Sequence, residues 1–460
     1  MSAKVNRRAF LKSGTGAGVG WAALKFGGLA AVLGAGTAPR ILASSADKPA
    51  ILGGTPVHKG GFPSWPIYDE TEEKALREVL HSGHWFRGSG TKVNRFEDAY
   101  AKLMGAKHCI ATASGTSALF ASLGALEVGP GDEVLLPPYT FVACVNVILL
   151  NFALPIFVDT DPETFQMDAN KIEAAITPRT IAVMPVHLGG NVCDMDKIME
   201  IARRRNIAVV EDACQAHLAE WRGKKVGSIG STGCFSFQAS KNLNSGEGGA
   251  VLTNDDALAE KVAAFHNNGR GRRASGADAA VRGYRGGNLR LAEWQAGILL
   301  AQMTRLEKQA QTREQNADFL NKELAKIPGI LPAKQYAGTT RNAYHLYMFR
   351  YKADQFGGLP RASFLKALSK EGIPCSSGYT PLNKQAFIQA ALQSRAYKKI
   401  YPARVLAEWN ERTRCPANDQ LCEEAVWFTQ NMLLAPRQSM ENIVAAVHKI
   451  HKHAAELAKA

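Results

Sequence analysis

Seven short apolar runs, separated in the first part by stretches of helical periodicity, organise residues 108–254. The runs are HCIATAS, EVLLPP, LPIFVDTD, IAVMPVHL, IAVVEDA, GCFSF and GAVLTN. Between the earlier runs, apolar residues recur every three or four positions, as in TSALFASLGAL and MDKIMEIARRRN. Short β-rich runs that alternate with helices are typical of an α/β domain with a mostly parallel sheet. We therefore predict a mostly parallel, seven-stranded sheet between helices.

The pattern on both sides of this region predicts the domain organisation. An extended arm and two helical segments precede the sheet, so residues 47–290 are expected to form an N-terminal arm and a large domain. A long helical pattern over residues 291–326 would connect the domains. Residues 327–460 contain the strand-like YHLYMFRYKA and the helix-like PRASFLKALSKEG, which predict a smaller C-terminal α/β domain.

Residues 1–46 differ from the rest of the chain, because they contain six basic residues and no acid. Arg7 and Arg8 precede a Gly- and Ala-rich, mildly apolar stretch, which resembles a twin-arginine export signal. Lys25 interrupts this stretch, so no stable membrane span is expected. We predict an exported protein of the periplasm or cell envelope and leave open whether the signal is cleaved. A cytoplasmic protein with a disordered basic leader is the alternative.

The net charge of +14 and the eight cysteines narrow the function classes. Six of the positive charges lie in residues 1–46, and the basic cluster Arg203 to Arg205 fits the solvated end of an amphipathic helix. Nucleic-acid binding is therefore not expected. The cysteines form no C-x-x-C pair and several lie in apolar runs, so neither a metal site nor a disulfide framework is expected.

Three predicted strand ends carry polar residues that could do chemistry. Gly115 and Thr116 begin a helix and could bind an anion, Asp212 ends a buried strand, and Lys241 follows another strand. Each alone has a structural explanation, as a helix cap, a capping acid or a surface lysine. Ligands of parallel sheets bind at such strand ends. Together the three match pyridoxal phosphate, with phosphate on the helix, aspartate on the ring nitrogen and lysine on the aldehyde.

The motifs carry a resemblance to a known family. SGHWFRGSGTKVNRFE, ASGTSAL, LPPYTFVACVNVILLNFALPIFVDTD, VVEDACQAH, GCFSFQASKNLNSGEGGAVLTND and GGNLRLAEWQAGILLAQMTRLE occur in order along the chain. In this, the sequence resembles the DegT/DnrJ/StrS group of pyridoxal-phosphate-dependent sugar aminotransferases of fold type I. The resemblance covers nearly all of the chain after residue 46. It implies the fold-type-I architecture, in which a large cofactor-binding domain is followed by a smaller one.

The resemblance also implies a set of cofactor-binding residues. Lys241 would form the internal aldimine and move the proton, and Asp212 would keep the ring nitrogen protonated. Gln215 would lie near the ring hydroxyl, and Phe141 would stack on the ring. The phosphate would be held by Gly115, Thr116 and Ser236. Asn288 would reach the phosphate from a second subunit. The resemblance therefore implies a homodimer whose active site lies at the subunit interface.

The expected reaction has two half-reactions. Glutamate or glutamine would leave its amino group on the cofactor, and a keto sugar or keto cyclitol would collect it. Gln238 stands where many family members have histidine, which leaves the substrate open. His187, His345 and Tyr379 are candidate substrate residues, with a packing role as the alternative for each. A sugar dehydratase, which would have histidine in place of Lys241, and a cofactor-binding sensor with little turnover are the alternative functions.

Overall fold

The structure is a computed structural model that describes residues 47–271 and 285–459. The predicted export signal, residues 1–46, lies outside the described residues. Within the described ranges, no helix combines the length and the hydropathy that crossing a bilayer requires.

A seven-stranded sheet forms the centre of the molecule. Its strands are β1 (His108–Thr112), β2 (Glu133–Leu136), β3 (Leu154–Phe157), β4 (Thr180–Val183), β5 (Ala208–Asp212), β6 (Thr232–Ser236) and β7 (Gly249–Thr253). The order across the sheet is β1-β7-β6-β5-β4-β2-β3. Only β7 runs antiparallel to its neighbours, because residues 237–248, which join it to β6, contain no crossover helix. The predicted mostly parallel sheet is confirmed.

Thirteen helices of six residues or more occur in the described part of the chain. They are α1 (Glu70–Ser82), α2 (Lys92–Met104), α3 (Gly115–Ala125), α4 (Ala143–Leu150), α5 (Met195–Arg205), α6 (Asp256–His266), α7 (Glu293–Leu324), α8 (Arg361–Lys370), α9 (Ala386–Leu392), α10 (Arg395–Ile400), α11 (Ala403–Arg412), α12 (Pro416–Glu424) and α13 (Arg437–Lys452). Side-chain caps start several of them. Asp69, Ser114 and Asp194 each accept a hydrogen bond from a backbone N–H of the first turn.

A second sheet lies in the C-terminal part of the chain. It contains β8 (Ile330–Pro332), β9 (Leu346–Tyr351) and β10 (Ala425–Thr429), which are antiparallel in the order β8-β9-β10. Shorter strands form two small additional sheets: Thr160–Asp161 with Gln166–Met167, and Thr339–Arg341 with Glu220–Trp221 and Lys224–Lys225.

Buried apolar side chains form two core clusters. The first surrounds the seven-stranded sheet, and the second lies between β9, β10, α8 and α13. Helix α7 contributes to both, with Leu299 and Leu306 in the first and Leu320 and Leu324 in the second. Residues 382–425 pack largely against the first core, where Trp409 is completely buried. The C-terminal part of the chain therefore supports both sheets, and the predicted domain boundaries stay a prediction.

The N-terminal arm is fixed by one buried carboxylate. Glu371, which follows α8, accepts hydrogen bonds from the backbone N–H groups of Ala50 at 2.7 Å and Val57 at 2.9 Å. Lys449 of α13 donates to the same carboxylate at 3.1 Å. Because the carboxylate and the ammonium are both buried, each compensates the desolvation of the other. The arm is thereby attached to the C-terminal helices.

Candidate active site

Ten of the twelve predicted site residues line a single cavity of about 470 Å³. The cavity lies at the carboxyl ends of the parallel strands, where ligands of α/β sheets bind. The ten residues are Gly115, Thr116, Phe141, Asp212, Gln215, Ser236, Gln238, Lys241, His345 and Tyr379. His187 and Asn288 are not among its lining residues.

The start of α3 forms an anion cradle in this cavity. The Ser114 side chain caps the helix by accepting from the N–H of Ser117 at 3.0 Å. The N–H groups of Gly115 and Thr116, which precede the first intrahelical donor, donate to no other described residue. A Cβ atom on Gly115 would lie only 2.7 Å from the Cβ of Ser236. Glycine therefore lets the helix start approach the end of β6, and the free N–H groups suit a phosphate.

Asp212 lies at the end of β5 with its carboxylate almost fully buried. Its Oδ1 accepts from the backbone N–H of Cys214 at 3.1 Å, and its Oδ2 accepts from the thiol of Cys144 at 2.9 Å. Burial and the neighbouring carboxylate raise the pKa of the Cys144 thiol, so this thiol stays protonated and remains a donor. The carboxylate is thus held in one orientation at the cavity wall, where a cationic ring nitrogen could pair with it.

Lys241 follows β6 in a turn that its own N–H closes by donating to the Gln238 carbonyl at 2.8 Å. No hydrogen bond or ion pair joins its Nζ to another of the described residues. Burial lowers the pKa of Lys241, because desolvation disfavours the ammonium form. A neutral amine is nucleophilic, so this lysine is suited to condense with an aldehyde.

An aromatic face completes the cofactor-sized part of the cavity. Phe141 is 55% exposed, although phenylalanine is normally buried, and it is one of the residues that line the cavity. An exposed ring inside a cavity provides a flat apolar surface for a planar ligand.

Gln215, predicted near the ring hydroxyl, lies beside two of the substrate candidates, Tyr379 and His345. Gln215 accepts from the N–H of Gly189 at 2.7 Å and donates to the hydroxyl of Tyr379 at 3.4 Å. Tyr379 packs against Trp427 with ring centroids 4.7 Å apart. His345 is buried, and its Nδ1 lies 3.2 Å from Oδ1 of Asn242. Burial brings the pKa of His345 well below the usual value. His345 is therefore neutral at physiological pH and can share a proton without carrying charge.

His187 lies behind the cavity wall. It is completely buried, and its Nδ1 accepts from the N–H of Cys193 at 3.2 Å. The proton must then lie on Nε2, which donates to Glu211 at 3.1 Å. Glu211 also accepts three backbone N–H groups of residues 227–230, so this acid and His187 support a loop. The structure thus places His187 in a packing position and not on the substrate side.

Asn288 is exposed and lies outside the cavity of its own chain. It forms an isolated backbone bridge with Asn267, and its side chain accepts from the N–H of Arg290 at 3.5 Å. Its contribution to a second subunit's phosphate site stays a prediction.

Sequence reasoning missed a buried support beneath the cavity. His217 Nε2 donates to the carbonyl of Ser236 at 2.9 Å, which leaves Nδ1 to accept from the hydroxyl of Tyr100, also at 2.9 Å. Burial lowers the pKa of His217 to about 3, so it remains neutral. The histidine in VVEDACQAH was visible in the sequence, but its partners lie 19 and 117 residues away and could not be identified. The bond from His217 therefore holds the end of β6 in place.

The cavity also has wall residues without a sequence prediction, among them Cys214, Glu247 and Trp427. Glu247, in the stretch NSGEGG, is one of the residues that line the cavity. Among the described residues, no group of three or more His, Cys, Asp or Glu side chains is arranged to bind a metal ion.

The combination fits pyridoxal phosphate on structural grounds. N–H groups without a partner among the described residues lie at the start of α3, a buried carboxylate is held at one wall, and Lys241, whose pKa is lowered by burial, lines the same cavity. A phosphate, a protonated ring nitrogen and an aldehyde are the groups that these three features would accept.

The comparisons with known proteins identify the class. A model of the DegT/DnrJ/EryC1/StrS aminotransferase family matches residues 66–447. The chain belongs to this family and is an aminotransferase, which confirms the predicted family, fold and enzyme class.

Three known proteins are similar to this chain over most of its length. The L-glutamine:2-deoxy-scyllo-inosose aminotransferase of Streptoalloteichus tenebrarius is 38% identical over 89% of this chain and 98% of its own length. The crystal structure of 3-amino-5-hydroxybenzoic acid synthase is 32% identical, with a TM-score of 0.75 over 86% of this chain and 99% of the other. A Bacillus subtilis structure with the bound cofactor PMP is 26% identical, with a TM-score of 0.71 over 86% of each chain.

Proposed function

We propose that this aminotransferase binds pyridoxal phosphate in the cavity and moves an amino group from glutamine to a keto cyclitol. Lys241, Asp212 and the helix start at Gly115 line one cavity, and this carries the proposal. The PMP-bound structural relative supports the cofactor. The Streptoalloteichus relative supports the donor and the cyclitol, because its name specifies both. A keto sugar acceptor and glutamate as donor remain the alternatives.

Pyridoxal phosphate would supply an aldehyde that accepts the amino group and a ring that withdraws electrons from the reacting carbon. The chain's own residues would orient it. The N–H groups of Gly115 and Thr116 and the hydroxyl of Ser236 would bind the phosphate, and Phe141 would cover one ring face. Asp212 would hold a proton on the ring nitrogen. Lys241 Nζ would bind the aldehyde carbon and then carry a proton to and from the substrate carbon.

An absorbance titration tests this function. The purified protein is expected to show the visible band of bound pyridoxal phosphate, and glutamine should convert it to the spectrum of the amino form. 2-Deoxy-scyllo-inosose should restore the first spectrum. Lys241→Ala should abolish both conversions, while Lys398→Ala, an exposed lysine far along the chain, should retain them. A protein that lacks the visible band would contradict the cofactor and with it the proposal. A protein that shows the band but does not respond to glutamine or glutamate would contradict the transfer reaction and favour the sensor alternative.

We further propose a homodimer in which Asn288 of one subunit completes the phosphate site of the other. The exposure of Asn288 outside its own cavity supports this arrangement. Size-exclusion chromatography with light scattering should give twice the subunit mass. Inactive Lys241→Ala and weakened Asn288→Ala proteins, mixed after unfolding and refolding, should regain activity because one site of each mixed dimer is intact. A lack of complementation with dimers formed would contradict the shared site.

We also propose that the protein is exported through the twin-arginine route. Arg7, Arg8 and the following apolar stretch support this proposal. In a bacterial host, the native protein should occur in the periplasmic fraction, and Arg7→Lys with Arg8→Lys should keep it in the cytoplasm. Export that is unchanged in the double variant, or a native protein that stays in the cytoplasm, would contradict the proposal.

A further inference from the structure

Gln238 and Glu247 lie opposite each other beyond the end of β6. The ladder between β6 and β7 pairs Ser236 with Gly249. It continues irregularly, because Phe237 N–H donates to the Gly248 carbonyl at 2.8 Å and Ala239 N–H donates to the Gly246 carbonyl at 2.9 Å. These two bonds bracket Gln238 on one segment and Glu247 on the other. Residues opposite each other on antiparallel segments place their side chains on one face, about 5 Å apart at Cβ.

Both side chains line the active-site cavity. They are separated by eight residues in the chain, and only the register of the hairpin makes them neighbours. The hairpin therefore brings an amide and a carboxylate into the lining of one cavity.

The amide of Gln238 has a fixed orientation. Its Oε1 accepts from the backbone N–H of Ser240 at 2.9 Å and from the hydroxyl of Ser240 at 2.6 Å. A backbone N–H can only donate, so the atom that faces it must be the amide oxygen. The Nε2 group, with two N–H donors, is consequently left for another partner.

Glu247 supplies the complementary acceptor. Only its backbone carbonyl accepts a bond, from the Ser245 hydroxyl, and its side chain makes no hydrogen bond or ion pair with another of the described residues. The charged side chains on the cavity wall are Asp212, Lys241 and Glu247. Since the proposed cofactor would engage the first two, Glu247 is the charge that remains for the substrate. A phosphate group in its place would be repelled.

We infer that Gln238 and Glu247 form a donor–acceptor pair that recognises adjacent hydroxyl groups of an uncharged, polyhydroxylated ring. The inference rests on the proposed function, whose acceptor it specifies. A ring hydroxyl donates to the Glu247 carboxylate, and its neighbour accepts from the Gln238 amide. Hydroxyls on adjacent ring carbons lie close enough together to be bound by two side chains that face each other across a hairpin.

The test compares ketones that differ in hydroxyl groups. Protein reconstituted with pyridoxamine phosphate is mixed with 2-deoxy-scyllo-inosose, cyclohexanone or fructose 6-phosphate, and the acceptor half-reaction is followed by absorbance. The variants are Glu247→Gln and Gln238→Glu, which keep the side-chain shape and change the acceptor charge or remove the donors. Glu260→Gln, on the exposed face of α6, is the matched control.

Both variants should lower the preference for the polyhydroxylated ketone over cyclohexanone by at least about tenfold in kcat/KM, because a hydrogen bond to a charged group is lost or weakened. The double variant should lose less than the product of the single losses, because both side chains bind the same ring. The control should match the native protein. An unchanged preference in both single variants, or a native preference for fructose 6-phosphate, would overturn the inference.

Binding of myo-inositol provides a measurement that does not depend on turnover. Calorimetry of the cofactor-loaded protein should show weaker binding in both variants than in the native protein and the control. Equal binding in all four proteins would overturn the pair as a recognition element. Failure of glutamine to load the native protein would instead contradict the proposed function, while the calorimetric result would still decide the role of the pair.

Discussion

Gly115→Ala tests whether the start of α3 is a phosphate cradle. The added Cβ would lie 2.7 Å from the Cβ of Ser236 and 2.9 Å from Sγ of Cys214. Because relaxed carbon contacts are about 3.5 to 4.0 Å long, the helix start and the end of β6 must separate by roughly 1 Å. Overpacking of this kind costs about 1–3 kcal/mol. The N–H groups that would bind the phosphate move away from the Ser236 hydroxyl at the same time.

Because cofactor binding requires the strained position of the helix start, this cost should raise the cofactor Kd by about 5- to 150-fold. It is measured by titrating the apoprotein with pyridoxal phosphate and following absorbance. Gly61→Ala is the control, since a Cβ there would meet no atom within 4 Å and the residue lies in the exposed arm. An unchanged Kd for Gly115→Ala, with the protein folded, would refute the cradle. An equal loss in the control would attribute the effect to general destabilisation.

Three further predictions concern stability, each measured by urea unfolding of the apoprotein. Burial lowers the folded-state pKa of Lys241, so folding must deprotonate this lysine or bury its charge, and Lys241→Met should be more stable than the native protein at pH 7. The gain in stability should shrink as the pH rises toward the unfolded-state pKa of lysine. Equal stability of the two proteins at pH 7 would contradict this. Glu371→Ala should cost about 3–5 kcal/mol because it leaves the Lys449 ammonium buried and unpaired, and Lys449→Met in the same protein should recover most of the loss. Cys144→Ala should cost about 1–3 kcal/mol by removing the thiol donor from buried Asp212, whereas Cys144→Ser, which keeps a donor, should cost less.

The sequence was informative where chemistry and local pattern coincide. The runs that became β1 to β7 are short, apolar and interrupted by helical periodicity, so burial on both faces of a sheet could be predicted without a structure. Asp212 is the last residue of β5 and Lys241 lies five residues after the end of β6, and the carboxyl ends of parallel strands meet at one edge. Their meeting in one cavity therefore followed from topology.

Other features depend on register and on distant packing, which the chain does not display locally. The thiol of Cys144 reaches Asp212 across 68 residues. The pairing of Gln238 with Glu247 depends on how an irregular hairpin is bonded. His187 stands at the end of an apolar run as Asp212 does, yet the backbone turns it toward Glu211 and away from the cavity. A polar residue at a strand end indicates that it has a binding partner, but only the tertiary structure identifies that partner.

The attachment of the N-terminal arm has a consequence for the order of events during synthesis. Ala50 binds Glu371 across 321 residues, and that carboxylate in turn requires Lys449 of the C-terminal helix α13. The ribosome therefore releases the arm long before its docking surface exists, and closing so long a loop is a late step of folding. The arm that begins at residue 47 can therefore dock only after the C-terminal helices have been synthesised and folded.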